Sequence, residues 1–257
     1  MESLCRVSDM SLIAPLFEGW PENLARSTLD GCMGEAYANP AHTAALVVNG
    51  DIAFLAGDAG CPEAEALAGY RPPSLQGRMI LLSSREAEWR PVIERVWGEK
   101  ARKVERHAIR KDMDHFDRET LRRFTETLPS GVRLTPLEGE LYHKVRAEEW
   151  SRDFVSQFRD EADYRARGLG VLALYGDEPV AGASSYVVFR GGIEIEIDTR
   201  KDWRRRGLAT ACGAALMLRC FKRGLYPSWD AANRESVALA EKLGYVYDRP
   251  YTTYEID

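Results

Sequence analysis

The chain is 257 residues long, 45% hydrophobic and 29% charged, with a formal net charge of -5. That length exceeds a typical single domain, so two domains are expected. The acidic balance argues against a nucleic-acid binder or a membrane-surface protein, both of which usually carry a basic excess. No apolar run approaches a membrane span, and the opening MESLCRVSDM lacks the basic and apolar regions of a secretory signal, so a cytoplasmic protein with no membrane partner is expected. Its five cysteines lack CxxC spacing. They read as reduced thiols, with neither a disulfide framework nor a metal site indicated.

In chain order, the spacing predicts a helix over Asn23 to Ala38. HTAALVVNGDIAFLAG then reads as two strands joined at Asn49-Gly50, a strong hairpin signal. A strand is expected at Met79 to Leu82, a helix at Arg85 to Trp97, and another at Asp117 to Thr127 with Asp117 as its cap. LPSGVRLTPLEGE, Leu128 to Glu140, gathers Pro and Gly and marks the expected boundary between an N-terminal α+β domain, 1–130, and a second domain, 131–257.

In the second half, helices are expected around Glu148 to Phe158 and Asp160 to Ala166. Strands follow at Val171 to Tyr175, Val180 to Phe189 and the run IEIEIDT, making an antiparallel meander. A helix opening near Gly207 then crosses over to a strand at Tyr226 to Asp230, a βαβ unit whose strands are expected to be parallel. A helix from Asn233 to Leu243 and strands around Tyr245 to Tyr247 and Tyr251 to Ile256 complete the domain.

The segment DWRRRGLATACGAALMLRCFKRGLY carries the main chemical signal. Arg204, Arg205 and Arg206 stand just before a helix whose N-terminus already bears partial positive charge and free N–H groups. Cations there cost helix stability unless an anion joins them. A glycine at this strand-to-helix turn lets backbone approach a phosphate, and a pyrophosphate suits the geometry. Neither a Walker P-loop nor a GxGxxG fingerprint is present.

Arg204 to Ala209 matches the Q/R-x-x-G-x-G/A pattern of the GNAT superfamily of acyl-CoA-dependent N-acetyltransferases, following a strand and opening a helix as that family requires. NRESVALAEKLGY resembles the family's later helix, with Asn233 at its cofactor-contacting asparagine. The two segments together resemble a two-lobed bacterial subfamily associated with zwittermicin-type resistance acetyltransferases. The resemblance covers about Leu141 to Asp257. It implies an α+β GNAT fold with a mixed sheet, preceded by an α+β domain that could be a degenerate copy of it. It also implies an acetyl-CoA cosubstrate, with pyrophosphate held by Arg204, Arg205, Arg206, Gly207, Leu208, Ala209 and Thr210. Pantetheine would lie on the backbone of Ile197 and Thr199, with Asn233 and Ser236 beside the cofactor.

An alkylamine acceptor has a pKa of about 10.4 and must lose a proton before it can attack a thioester. IEIEID alternates strictly, which sets Glu194, Glu196 and Asp198 on one face of the strand and Ile193, Ile195 and Ile197 on the other. Repulsion among the carboxylates raises at least one of their pKa values, and Glu194, then Glu196, is the candidate general base. The polar face of an ordinary amphipathic strand would read the same way. The helix position where this family commonly carries a tyrosine acid is Ala240. The expected function is therefore acetyl transfer to a small-molecule amine in a ternary complex, with no nucleic-acid partner; the alternative is a noncatalytic acyl-CoA-binding or partner-recognition module.

Overall fold

The computed structural model describes residues 4–20, 22–112 and 115–257. They fall into two compact units, Met1–Arg106 with Pro250–Asp257, and His107–Arg249. The division differs from the expected boundary at 130/131. Leu128 to Glu140 contributes a strand to the second unit, and the end of the chain returns to pair within the first.

The first unit runs β1 (Cys5–Arg6), α1 (Asn23–Leu29), β2 (Glu35–Ala38), β3 (Ala44–Asn49), β4 (Ile52–Gly57), α2 (Ala64–Ala68), β5 (Ile80–Ser84), α3 (Trp89–Trp97) and β6 (Ala101–Ile109), the last crossing into the second unit. The hairpin of β3 and β4 turns at Gly50 as the sequence predicts. The first predicted helix is shorter: it stops at Leu29, and Gly31, at φ 70°, turns the chain toward β2. β4 pairs with β5 in parallel, and Thr253 to Ile256 lie antiparallel to β5. Trp89, Phe54, Leu46 and Ile80 are among the large side chains fully buried here.

The second unit contains α4 (Arg118–Glu126), β7 (Val132–Pro136), α5 (Glu140–Ala147), α6 (Glu161–Arg167), β8 (Gly170–Tyr175), β9 (Glu178–Phe189), β10 (Gly192–Thr199), α7 (Leu208–Lys222), β11 (Tyr226–Ser228), β12 (Asp230–Ala231), α8 (Arg234–Lys242) and β13 (Tyr247–Ile256), whose second half belongs to the first unit. Asp117 caps α4, its carboxylate accepting the Glu119 N–H at 2.9 Å. The helix expected over Glu148 to Phe158 is displaced. The α-helix lies upstream as α5, and only a 3-10 turn, Arg152–Phe154, remains. Ser151 donates its hydroxyl to the Val145 carbonyl at 2.9 Å, satisfying the open end of α5 and stopping it there.

Five strands form a mixed sheet in the order β11-β10-β9-β8-β7. β7 to β10 are antiparallel neighbours, and β11 joins β10 in parallel through the α7 crossover. α7 lies tight against this sheet. A Cβ on Gly213 would stand 2.8 Å from Leu243 Cδ1 and 3.3 Å from Ile197 Cδ1, so a larger residue here must push aside the ends of these side chains where helix and sheet meet. The pairing of β10 with β11 covers only Gly192 to Glu194. Beyond Glu194, β10 continues to Thr199 on β9 alone, while the chain after Ser228 leaves to pair as β12 with Ala108 and His107. The parting of these two strands opens the sheet and creates the site.

Candidate active site

Thr199, Arg200 and a single 3-10 turn, Lys201–Trp203, lead from β10 into the arginine run. Arg205 has φ 64° and Gly207 φ 80°, so the loop takes two left-handed residues before α7 begins. Only the second is a glycine, and holding Arg205 in this region costs about 1–2 kcal/mol. α7 has no side-chain cap and no acidic residue in its first turn. Its first intrahelical bond at this end is from the Ala211 N–H to the Gly207 carbonyl, 3.0 Å. The N–H groups of Leu208, Ala209 and Thr210 therefore precede the helix's own hydrogen bonding, and the helix dipole adds positive potential beside them.

A cleft of about 640 Å³ opens at this point. Ile197, Thr199, Arg204, Arg205, Gly207, Leu208, Ala209, Thr210, Asn233 and Ser236, all singled out from sequence, line it together. Arg206 is not among its lining residues. Its guanidinium carbon lies 4.5 Å from the centroid of the Trp203 ring, and a terminal nitrogen donates to the Asp202 carbonyl at 3.2 Å. Arg204 is also held: Nε donates to the Thr199 carbonyl at 3.0 Å, and a terminal nitrogen stands 3.4 Å from Asp198 Oδ1. Arg200 and Asp202 form a two-point ion pair that lowers the aspartate's pKa. Much of the local positive charge is thus balanced by the aspartates on either side.

Asn233 caps α8, its side-chain oxygen accepting the Ser236 N–H at 2.9 Å. Ser236 Oγ in turn accepts the indole N–H of buried Trp229 at 3.0 Å. Both residues build the cleft wall before they meet any ligand. Sequence reasoning missed Glu235, Ala238, Leu239 and Lys242, which also line it. They occupy positions i, i+3, i+4 and i+7 of α8, one helix face, so the spacing carried the signal. Asp198, which the alternation of β10 puts on the carboxylate face, and Trp203 complete the lining.

On β10, Ile193 is fully buried and Ile195 and Glu194 nearly so, at 8% and 4% exposure, whereas Glu196 and Asp198 are half-buried. The alternation persists because the register shift beside Glu194 inserts its extra residue, Tyr186, on β9. Asp198 is committed to Arg204 and to its neighbour's N–H. Neither Glu194 nor Glu196 lines the cleft. Glu194 pairs in register with Ser228 and Gly192 with Tyr226, so Glu194, Ser228 and Tyr226 share one face of the sheet. Burial, then the charge of Glu194, pushes the Tyr226 phenol well above its ordinary value.

Other aromatic, thiol and acidic side chains have different surroundings. Tyr245 donates its hydroxyl to the Pro227 carbonyl at 2.6 Å, and Tyr254, in the first unit, donates to Glu94. Cys212 and Cys220 lie inside α7, and burial raises each thiol to about 12, unsuited to nucleophilic attack at neutral pH. Trp150 packs edge-on against Phe154 and borders a separate cleft of about 280 Å³. Asp230 pairs with Ala108 in β12 and is not among the residues lining the larger cleft. Among the described residues, no group of three His, Cys, Asp or Glu side chains could hold a metal ion, and no helix is long and apolar enough to cross a membrane.

Comparison with known proteins finds relatives that span most of the chain. The family model described as GNAT acetyltransferase matches residues 14–254. An uncharacterized N-acetyltransferase of Bacillus subtilis, YdfB, is 27% identical over 208 residues, 79% of this chain and 77% of that protein. The crystal structure of a GCN5-related N-acetyltransferase-like protein from Streptococcus suis superposes with a TM-score of 0.88 at 38% identity, covering 97% of this chain and 98% of the other. A tandem GNAT protein from the clavulanic acid biosynthesis pathway shares the fold at a TM-score of 0.59 and 11% identity, over 98% of this chain and 97% of its own.

Proposed function

The chain belongs to the GNAT acetyltransferase family and is an acetyltransferase, and from that premise we propose that the cleft beside β10 binds acetyl-CoA and that the acceptor is a small-molecule amine, acetylated directly while both are bound. One observation carries this reading: a helix without side-chain cap or first-turn acid opens onto the cleft behind two left-handed residues. The N–H groups of Leu208, Ala209 and Thr210 hold the pyrophosphate, and Arg205 and Lys242 complement its charge. Past Glu194, the outer edge of β10 has no strand partner among the described residues. In this reading the backbone of Ile197 bonds the pantetheine amides, with Thr199, whose N–H and carbonyl already meet Asp198 and Arg204, beside it, and an N–H of the Glu194 to Ile197 run stabilises an oxyanion.

The bound thioester supplies an activated acetyl group; the chain's own residues manage the acceptor. Glu194, nearly buried on β10, accepts the amine's proton. Glu196, half-buried two residues on and on the same face, attracts the cationic form of the acceptor to the site. The two buried cysteines of α7 offer no covalent route.

Calorimetric titration with acetyl-CoA tests the cleft, using wild type beside Gly207→Asn and Gly207→Asp. Both side chains tolerate a left-handed backbone, and they differ in charge. One-site binding that survives Asn and is lost with Asp is expected. No binding to the wild type at millimolar acetyl-CoA overturns the reading.

A further inference from the structure

Thr199, the last residue of β10, lines the cleft and is only 7% exposed. Its main chain is committed: the N–H donates to Asp198 Oδ1 at 2.6 Å, the carbonyl accepts Arg204 Nε at 3.0 Å, and Arg204 also reaches Asp198. These contacts fix the end of the strand. The side chain is in a different state, since Oγ1 is buried and has no hydrogen-bond partner among the described residues. A buried hydroxyl so placed costs stability. Valine has nearly the same shape and an equal preference for strands, so neither packing nor secondary structure calls for the oxygen.

The position of Thr199 matches the phosphate loop. α7 crosses from β10 to the parallel β11 and so runs back antiparallel to β10. Ile197 Cδ1 faces Gly213 on that helix. From this level Thr199 is about 6.6 Å further along the strand, and Thr210 and Ala209 are roughly 4.5–6 Å back along the helix. Thr199 is thus level with the N–H groups that begin α7 and shares the α7 face of the strand with Ile197.

We propose that the Thr199 hydroxyl is a ligand of the cofactor, donating its hydrogen to the phosphate esterified to pantetheine. The inference rests on the acetyl-CoA reading of the cleft, in which the pantetheine arm runs along β10 and its own phosphate is the one beside the strand end. Hydroxyl and methyl share one carbon, and a turn about χ1 to the next staggered well exchanges them. Bringing Oγ1 to the phosphate therefore moves no backbone, and the Asp198–Arg204 contacts hold the residue while it turns. The same oxygen that weakens the free protein strengthens the complex, because its partner there is an anion.

The test compares wild type, Thr199→Val and Thr199→Ser by the melting temperature of the free protein, calorimetric affinity for acetyl-CoA, and the phosphorus NMR spectrum of bound CoA. Thr199→Val is expected to melt at or above the wild-type temperature yet bind acetyl-CoA about tenfold or more weakly, whereas Thr199→Ser keeps the hydroxyl and binds within about threefold of wild type. A hydroxyl with a purely structural role cannot move stability and affinity in opposite directions. Between the wild-type and Thr199→Val complexes, the pyrophosphate resonances are expected to shift and the 3′-phosphate resonance to stay. Unchanged affinity in Thr199→Val overturns the proposal, as does a loss of affinity accompanied by a lower melting temperature, an equal loss in Thr199→Ser, or a shift confined to the 3′-phosphate. Failure of wild type to bind acetyl-CoA at all is a separate result, which removes the reading of the cleft and this inference with it.

Discussion

The Arg206 guanidinium is stacked on Trp203, 4.5 Å from the ring centroid, while the adjacent Arg205 lines the cleft. Neighbours in one basic run thus have different tasks. Arg205→Ala is expected to weaken acetyl-CoA binding about tenfold or more, the scale of one charge-assisted hydrogen bond. Arg206→Ala removes a cation–π contact worth about 0.5–1 kcal/mol and is expected to change affinity less than fivefold. Calorimetry on the two variants decides, and equal losses would return Arg206 to the cofactor site.

The same Arg205 sits at φ 64° with no glycine's freedom. Strain of this kind persists where the surrounding structure or function demands it. Arg205→Gly relieves it while making the unfolded chain more flexible, so a net gain of roughly 0.5 kcal/mol in folding stability is expected. Urea denaturation measures that gain, and acetyl-CoA titration of the same variant is expected to show the affinity loss of Arg205→Ala. A variant that both loses stability and keeps affinity would remove Arg205 from the functional account.

The pattern of these residues explains what the sequence made legible. The βαβ crossover and the parallel β11 follow from local spacing, because helix periodicity and strand-to-helix turns are written in adjacent residues, whereas most of the cleft-lining residues were reached through the resemblance of two segments to family motifs. Arg206's turn onto Trp203 depends on loop dihedrals that no residue type dictates. The boundary at Arg106 was hidden because Thr253 to Ile256 pair with β5 across more than half the chain, a relationship without local signature. α5 ends where a serine hydroxyl meets a carbonyl, another tertiary choice that periodicity cannot carry.

Glu194 and Glu196 share a face but not an environment, since Glu194 is nearly sealed and Glu196 is half-buried. With the fastest acceptor from a panel of primary amines, Glu194→Gln is expected to lower kcat/KM by about 10²–10⁴-fold, the range for losing a positioned base. The wild-type rate is expected to fall at acid pH as the carboxylate protonates, and Glu194→Gln to lose that limb. Glu196→Gln is expected to raise KM more than it lowers kcat. An acid limb unchanged in Glu194→Gln would move the base elsewhere.

Asp163 offers a stability test away from the cleft. Its carboxylate accepts Arg167 Nε at 2.8 Å, a second Arg167 nitrogen at 3.0 Å and the Arg159 N–H at 3.1 Å. The hydrogen bonds from Arg167, chiefly, hold its pKa at about 2, against burial that acts the other way. A carboxylate whose pKa is depressed on folding stabilises the protein above its unfolded value of about 3.9 and loses that contribution as pH falls through the folded value. Asp163→Asn is therefore expected to cost about 2 kcal/mol at pH 7, the scale of a hydrogen-bonded charged group. The gap between variant and wild type should close between about pH 4 and pH 2, where wild-type Asp163 becomes protonated. Urea unfolding at pH 7, 4 and 2.5 measures it, and a pH-independent gap would mean that shape, not charge, holds α6 in place.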